Sequence, residues 1–195
     1  MGHMNTAERQ HWLHVTDQPD WQRQHIHDPD ILIDDELAAI TKAFPPNPQR
    51  ILEIGCGYGR LTERIAALYP EADITGTDIN PAVLSNPLPN FPQLLYQCRD
   101  NLTNMHGSYD AIYSVAVFQH LPHDEQHAYI NQAHKALTPG GVLRIQFIKG
   151  TTHSHLNHPT PATTMTGWMR KAGFKVPPIE RGLAHPQWTW ITGRK

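Results

Sequence analysis

The segment Ile51–Leu61, "ILEIGCGYGRL", sets three glycines, Gly55, Gly57 and Gly59, at alternate positions directly after an apolar run. "RILEI" reads as a buried strand. "RLTERIAALYP" places Leu61, Ile65, Ala66 and Leu68 on one face of a helix that Pro70 stops. Glycine suits the turn between them because the chain there needs positive φ, or because a missing Cβ lets another group lie against the peptides. In an open parallel sheet the turn after the first strand is the expected place for a ligand.

Working outward, apolar runs and helical patterns alternate from about residue 50 onward, the mark of a parallel sheet covered by helices. "ADITGTDI" is a second strand and "QLLYQC" a third, separated by Pro81, Pro87, Pro89 and Pro92, which leave room for only a short helix after Asn80. "YDAIYSVAVF" is a fourth strand, and "DEQHAYINQAHKAL" a helix ending at Pro139, Gly140 and Gly141. "GVLRIQFI" is a fifth strand. The tail changes character: "TTMTGWMRKAG" reads as a helix ending on Gly173. "FKVPPIERG" and "PQWTWITGRK" read as two strands suited to antiparallel pairing, with Pro177 and Pro178 pushing the first toward an irregular edge. The division expected is an N-terminal arm or lid over 1–30, polar and rich in Trp and His, then one domain over 31–195. Residues 1–4, "MGHM", resemble a cloning remnant.

A chain of 195 residues with 39% hydrophobic side chains can bury one continuous core. No apolar stretch approaches the roughly 18 residues that span a bilayer and no secretory leader is visible, so a soluble, cytoplasmic protein without membrane contact is expected. The net charge of -2 and scattered Lys and Arg leave no nucleic-acid footprint. Cys56 and Cys98 are spaced neither as a metal knuckle nor as a redox pair, and neither is a candidate nucleophile. The 14 histidines gather near the N-terminus, after Phe118 and in "THSHLNH". Their spacing fits no metal site, so solvated loop histidines are expected there.

The glycine spacing separates two ligand classes. A dinucleotide wants G-x-G-x-x-G, and here the third glycine comes one residue early. Glu53, two positions before Gly55, would repel phosphate and suit a ligand bearing an amino group. Asp78 closes the second strand, where a carboxylate accepts both hydroxyls of a ribose. Asp100, just past the third strand, is placed for an exocyclic amine such as that of adenine. A nucleoside joined to an amino acid satisfies all three carboxylates. Each residue also has a structural reading: a tight turn for Gly57 and Gly59, a cap before Pro81 for Asp78, and an Asx turn for Asp100.

"LEIGCGYGR", "ITGTDIN", "CRDNL", "YDAIYSVAVFQHLP" and "LTPGGVLRIQF" resemble, in order, the motifs of class I S-adenosylmethionine-dependent methyltransferases over roughly residues 50 to 150, and "WMRKAGFKV" resembles their sixth strand. The resemblance implies an α/β, Rossmann-like, doubly wound sheet of seven strands, mostly parallel with the last antiparallel, and helices on both faces. It implies Glu53, Gly55, Cys56, Gly57 and Gly59 around the methionyl part and Asp78 on the ribose. Ile79 and Val115 would pack on the cofactor, and Asp100 with Asn101 would meet the adenine. The proline-broken segment after Asp78 departs from the family pattern, where a full helix is usual.

The end of the fourth strand faces the methyl group in this fold, so "FQHLP" is the first place to seek chemistry. His120 is the candidate general base, or alternatively a loop-ordering residue bound to a backbone carbonyl. Gln119, Trp21, His25 and His153 are candidates for holding the acceptor. Trp12 and Trp21 are read as packing over the cofactor cleft or core. Absence of an N-P-P-Y-like segment, of a Pro-Cys nucleophile and of a basic patch favours a small-molecule acceptor, methylated on oxygen before nitrogen. A nicotinamide-dependent oxidoreductase and a non-catalytic cofactor-binding subunit are the rival readings.

Overall fold

A computed structural model describes residues 6–17, 33–85, 94–151, 156–181 and 188–195. Its strands are β1 (Arg50–Ile54), β2 (Asp73–Asp78), β3 (Leu94–Cys98), β4 (Tyr109–Ser114), β5 (Leu137–Ile148), β6 (Glu180–Arg181) and β7 (Trp188–Arg194). Its helices are α1 (Thr6–Leu13), α2 (Ile33–Thr41), α3 (Arg60–Leu68), α4 (His123–Ala136) and α5 (Ala162–Ala172). The strands form one sheet in the order β3-β2-β1-β4-β5-β7-β6. β1 to β5 pair in parallel, and β7 runs antiparallel to both β5 and β6, as the motif resemblance implies. The order reverses between β1 and β4, and the crevice at the carboxyl ends of these strands is where ligands bind in such sheets.

Period-two alternation fills a layer on each face. Leu52, Ile54, Ile112, Leu143 and Ile145 pack with Tyr129, Ile130 and Ala133 of α4 and Met165 and Met169 of α5. Ile51, Ile74, Ala111, Tyr113 and Val142 pack on the other face with Ala39 and Ile40 of α2 and Leu61 and Ile65 of α3. No described helix is long and apolar enough to cross a membrane.

Several boundaries differ from the sequence reading. Leu68 is 56% exposed, and Tyr69, which leaves the helix, closes that end of the core against Phe44. The helix α4 stops at Ala136, not at Pro139. Leu137 is already drawn into the sheet opposite Tyr109, and residues 138–141 bulge before the ladder resumes at Ala111 and Val142. The fourth strand ends at Ser114 because Ala116 adopts a φ of 57°, turning the chain into a short helical turn over Phe118–His120. A left-handed alanine stores strain of about 1 kcal/mol or more, a cost that clusters where a chain is aimed at a site. As expected from its prolines, β6 is a two-residue edge strand.

Arg144 interrupts the apolar run of β5 and is completely buried. It donates to Ala39 O at 3.0 Å, to Thr192 Oγ1 at 2.6 Å, and to both carboxylate oxygens of Glu180 at 2.9 and 3.2 Å. Its guanidinium also lies 4.8 Å from the centroid of Trp190. One side chain thus ties α2, β5, β6 and β7 together. Burial would lift the Glu180 carboxyl, but the hydrogen bonds and charges of Arg144 and Lys42 outweigh it and hold the group below its ordinary value.

Candidate functional site

The three glycines of the β1–α3 turn all have positive φ, yet their surroundings differ. A Cβ on Gly55 would collide with Val117, and one on Gly59 with the Tyr96 hydroxyl. Protein neighbours therefore forbid side chains at both. Gly57 has no atom within 4 Å of where its Cβ would stand, so that peptide alone faces open space. The turn is stitched to β2: Gly55 N and Cys56 N both donate to Thr77 O, and Gly57 N donates to Asp78 Oδ2 at 2.9 Å. Burial pushes the Cys56 thiol far up, so it does not serve as a thiolate.

Asp78 lies beside that opening. Its other oxygen, Oδ1, accepts from Asn80 N at 2.9 Å, and burial raises its carboxyl despite these backbone donors. The Ile79 amide also stabilises this carboxylate, so three of its four acceptor sites serve backbone donors and one remains for a ligand hydroxyl. The capping role considered for Asp78 falls to Asn80, whose Oδ1 accepts from Ala82 N. The Asx turn considered for Asp100 is likewise made by its neighbour, because Asn101 Oδ1 accepts from Thr103 N. Asp100 instead pairs with Arg9 of α1 at 3.2 Å and accepts from Asn101 Nδ2. Ile79 is half-buried against the core and Val115 is buried.

Glu53 lies near the end of β1, just before the turn. Alternation along β1 places it with Ile51 in the layer under α2 and α3, where Oε2 accepts from Thr62 Oγ1 at 2.6 Å and from the Tyr113 hydroxyl at 2.7 Å. Burial pushes its carboxyl up to about 7, and the Thr62 and Tyr113 hydrogen bonds only partly oppose that rise. The sign of the resulting pH dependence follows. A native value above the unfolded 4.5 means that the folded chain keeps a proton the unfolded chain has lost. The stability this group contributes is complete below pH 4.5 and is lost as pH rises to about 7, a change of about 3 kcal/mol. Glu53→Gln should match the wild type at about pH 4 and exceed it by about that amount at about pH 8, read by urea unfolding at both. Equal stability at both values would mean that the carboxyl ionises normally.

At the end of β4, His120 Nδ1 is 3.0 Å from Leu156 O. A carbonyl only accepts, so Nδ1 carries the proton, and in the neutral ring Nε2 holds the lone pair. The carbonyl-binding and base readings of His120 are therefore compatible, since the first prepares the second. Gln119 is buried, and its carbonyl accepts from His158 N. His123 Nε2 lies 3.1 Å from Pro159 O, and Gln126 Nε2 donates to His158 O at 3.1 Å. The segment 156–160 is thus sewn to the start of α4, and His158 is a paired, partly buried residue where a solvated one was expected. Among the described residues no group of three His, Cys, Asp or Glu side chains stands together as metal ligands would. Trp21, His25 and His153 lie outside the described residues.

The sequence reading missed α1. Its inward face carries Glu8, Trp12 and, past its end, Val15, a helical spacing hidden because the first member is charged. Trp12 lies over His120, with ring centroids 4.6 Å apart, and its carbonyl accepts from Asn80 Nδ2 at 2.9 Å. Glu8 Oε1 is 2.5 Å from His158 Nε2. This helix spans the crevice from Asp100 on one side to His120 and His158 on the other.

Residues 52–143 match the family model described as a methyltransferase domain. The chain is 37% identical over 103 residues to a trans-aconitate 2-methyltransferase of Variovorax paradoxus, a match covering 52% of this chain and 39% of that one. It is 37% identical over 92 residues to a malonyl-[acyl-carrier protein] O-methyltransferase of Anoxybacillus flavithermus, covering 45% and 35%. The chain spans less than half the length of the first of these curated relatives. A TehB-like S-adenosylmethionine-dependent methyltransferase structure from Corynebacterium glutamicum superposes with a TM-score of 0.70 at 19% identity, over 98% of this chain and all of that one. At that identity the likeness concerns the fold.

Proposed function

Because the chain belongs to the class I S-adenosylmethionine-dependent methyltransferases, we propose that it methylates an oxygen of a small acceptor held between His120 and α1. The residues present fit the cofactor. Gly57 has open space where a Cβ would stand, and Asp78 beside it keeps acceptor capacity for a ribose hydroxyl. We assign the adenine amine to Asp100 and Asn101, and its apolar contact to Ile79 and Val115. Glu53 acts indirectly, holding β1 to α3 and β4 through Thr62 and Tyr113 beneath the glycine turn. When bound, the cofactor supplies a methyl group on a positively charged sulfur.

The observation that carries oxygen as the acceptor atom is the His120 tautomer. With Nδ1 committed to Leu156 O, Nε2 is the proton-accepting nitrogen at the mouth of β4. An alcohol or phenol attacks more readily as its proton leaves, and imidazole is suited to take it near neutral pH. With the cofactor bound, His120 Nε2 would take the hydroxyl proton as the oxygen gains the methyl group, and His120 would end as imidazolium while the cofactor's positive charge is lost with that methyl. Trp12 supports the reaction by covering the imidazole and excluding water, and holding the partners together supplies most of the remaining rate gain.

The test is turnover, read as release of S-adenosylhomocysteine with a panel of hydroxyl and carboxylate metabolites. His120→Ala should lower kcat toward hydroxyl acceptors by about a hundredfold. Affinity for S-adenosylhomocysteine, measured by calorimetry, should stay within about twofold of wild type because His120 lies on the acceptor side. Full turnover in the variant would remove His120 as the base. Tight cofactor binding with no turnover on any acceptor would favour the non-catalytic reading.

A further inference from the structure

Beneath α1 lies a set of carboxylates, two of which, Glu8 and Glu125, have no part in the methyl-transfer reading. The Glu8 side chain is 6% exposed. Oε1 meets His158, whereas Oε2 is buried and has no hydrogen-bond partner among the described residues. Glu125, in the first turn of α4, has the same defect: its Oε1 is buried and without a partner. Burial, followed by the charge of Asp124, pushes the Glu125 carboxyl up to about 7, and Glu8 and Asp100 add to that rise while Arg9 opposes it. Glu8 is tied to the start of α4 through His158, whose carbonyl accepts from Gln126 next to Glu125, and Asp100 is tied to α1 through Arg9. The guanidinium among them, Arg9, is already engaged by Asp100.

A buried acceptor without a donor costs about 1–3 kcal/mol, more when charged, and two in one acidic neighbourhood mark a place shaped for a donor that arrives from outside. Water would satisfy the hydrogen bonds but not the charge. A metal ion does not suit, because these side chains are not gathered as ligands. A carboxylate-bearing ligand would add repulsion. A primary ammonium carries three donors, no acceptor and a positive charge, which matches both needs.

We infer that the acceptor is an amine-bearing hydroxyl compound whose ammonium docks on Glu8 and Glu125 while its hydroxyl faces His120. The inference rests on the methyl-transfer reading and specifies its substrate class. Glu8 and Trp12 are one helical turn apart, about 5–6 Å between Cβ atoms, and Trp12 lies on His120. A short molecule reaches from one end to the other. Docking also selects the atom that is methylated: an ammonium held by carboxylates keeps its proton and has no lone pair, so the hydroxyl oxygen is the nucleophile. Polycarboxylates are disfavoured beside Glu8 and Glu125.

Three phenols that share a 4-hydroxyphenethyl core and end in an ammonium, a neutral amide or a carboxylate provide the test: tyramine, N-acetyltyramine and 3-(4-hydroxyphenyl)propionate. Binding is measured by calorimetry on the whole chain with S-adenosylhomocysteine present, and turnover is measured with the methyl donor. Tyramine should bind at least about tenfold more tightly than the propionate. Glu8→Gln should weaken tyramine about tenfold and leave N-acetyltyramine unchanged, with a smaller loss in Glu125→Gln. Unchanged S-adenosylhomocysteine affinity in both variants shows that they are folded. Equal or inverted charge preference, no binding of tyramine, or an equal loss for all three phenols in Glu8→Gln would overturn the inference. Glu8-dependent tyramine binding without turnover would keep the ammonium site and remove methyl transfer. Turnover indifferent to charge would do the reverse.

Discussion

Asp78→Ala should weaken binding of S-adenosylhomocysteine by about a hundredfold or more. A ribose hydroxyl donating to a buried carboxylate makes a charge-assisted hydrogen bond worth about 1.5–3 kcal/mol net, and alanine removes it. The loss should exceed that of any other single change in the crevice because Asp78 also positions the opening. Its oxygens anchor Gly57 N on one side and Asn80 N on the other, and Asn80 in turn holds the carbonyl of Trp12. Asp78→Asn separates these contributions: the amide oxygen keeps one backbone donor and one hydroxyl, so its loss should be intermediate. Calorimetry at neutral pH reads both variants, with thermal melting to show that they are folded. Unchanged affinity in a folded Asp78→Ala would mean that the carboxylate serves only the two backbone amides.

The glycine turn was legible because an apolar run followed by alternating glycines leaves few conformations besides left-handed ones. The reason for each glycine was not. Gly55 answers to Val117 and Gly59 to Tyr96, partners far along the chain that meet them only once the sheet has assembled. All three have the positive φ that the sequence reading offered, and of the three Gly57 has open space at its Cβ position. Glu53 shows the opposite case. Its neighbour at two positions, Ile51, is plainly core, and strict strand alternation places Glu53 on the same face, so its burial against Tyr113 was available from the pattern. Its place before the glycines drew attention to a ligand instead. The helix α1 escaped because its inward face begins with a glutamate, and an apolar-periodicity search discards such a face although Trp12 and Val15 complete it. The expected lid or arm over 1–30 thus includes a helix docked on the crevice.

The two ends of the sheet are held by different means, and Arg144 carries the second. Arg144→Met should destabilise the fold by about 3 kcal/mol, or a fall in Tm of roughly 6–12 °C for a chain of this size. Methionine fills similar volume and keeps the apolar contact with Trp190, so the loss is chiefly polar. Ala39 O and Thr192 Oγ1 would lose their buried donor. Glu180 would also lose its bidentate partner, but its side chain is 38% exposed and Lys42 is beside it, so water and that lysine reduce the cost below that of a fully buried broken pair. The same geometry fixes a pH dependence. Glu180 is held below its ordinary value, so the stability it contributes is present above the unfolded carboxyl value of 4.5 and is lost as pH falls below it. Arg144→Met should shrink that acid-side loss to the part Lys42 supports, whereas Glu180→Gln should remove it while retaining the contacts to Ala39 and Thr192. Urea unfolding of the two single variants and the double one gives the coupling directly. Additive effects would show that Arg144 stabilises the edge through Ala39 and Thr192 alone, and that the two-residue strand β6 is held by its ladder with β7 rather than by this ion pair.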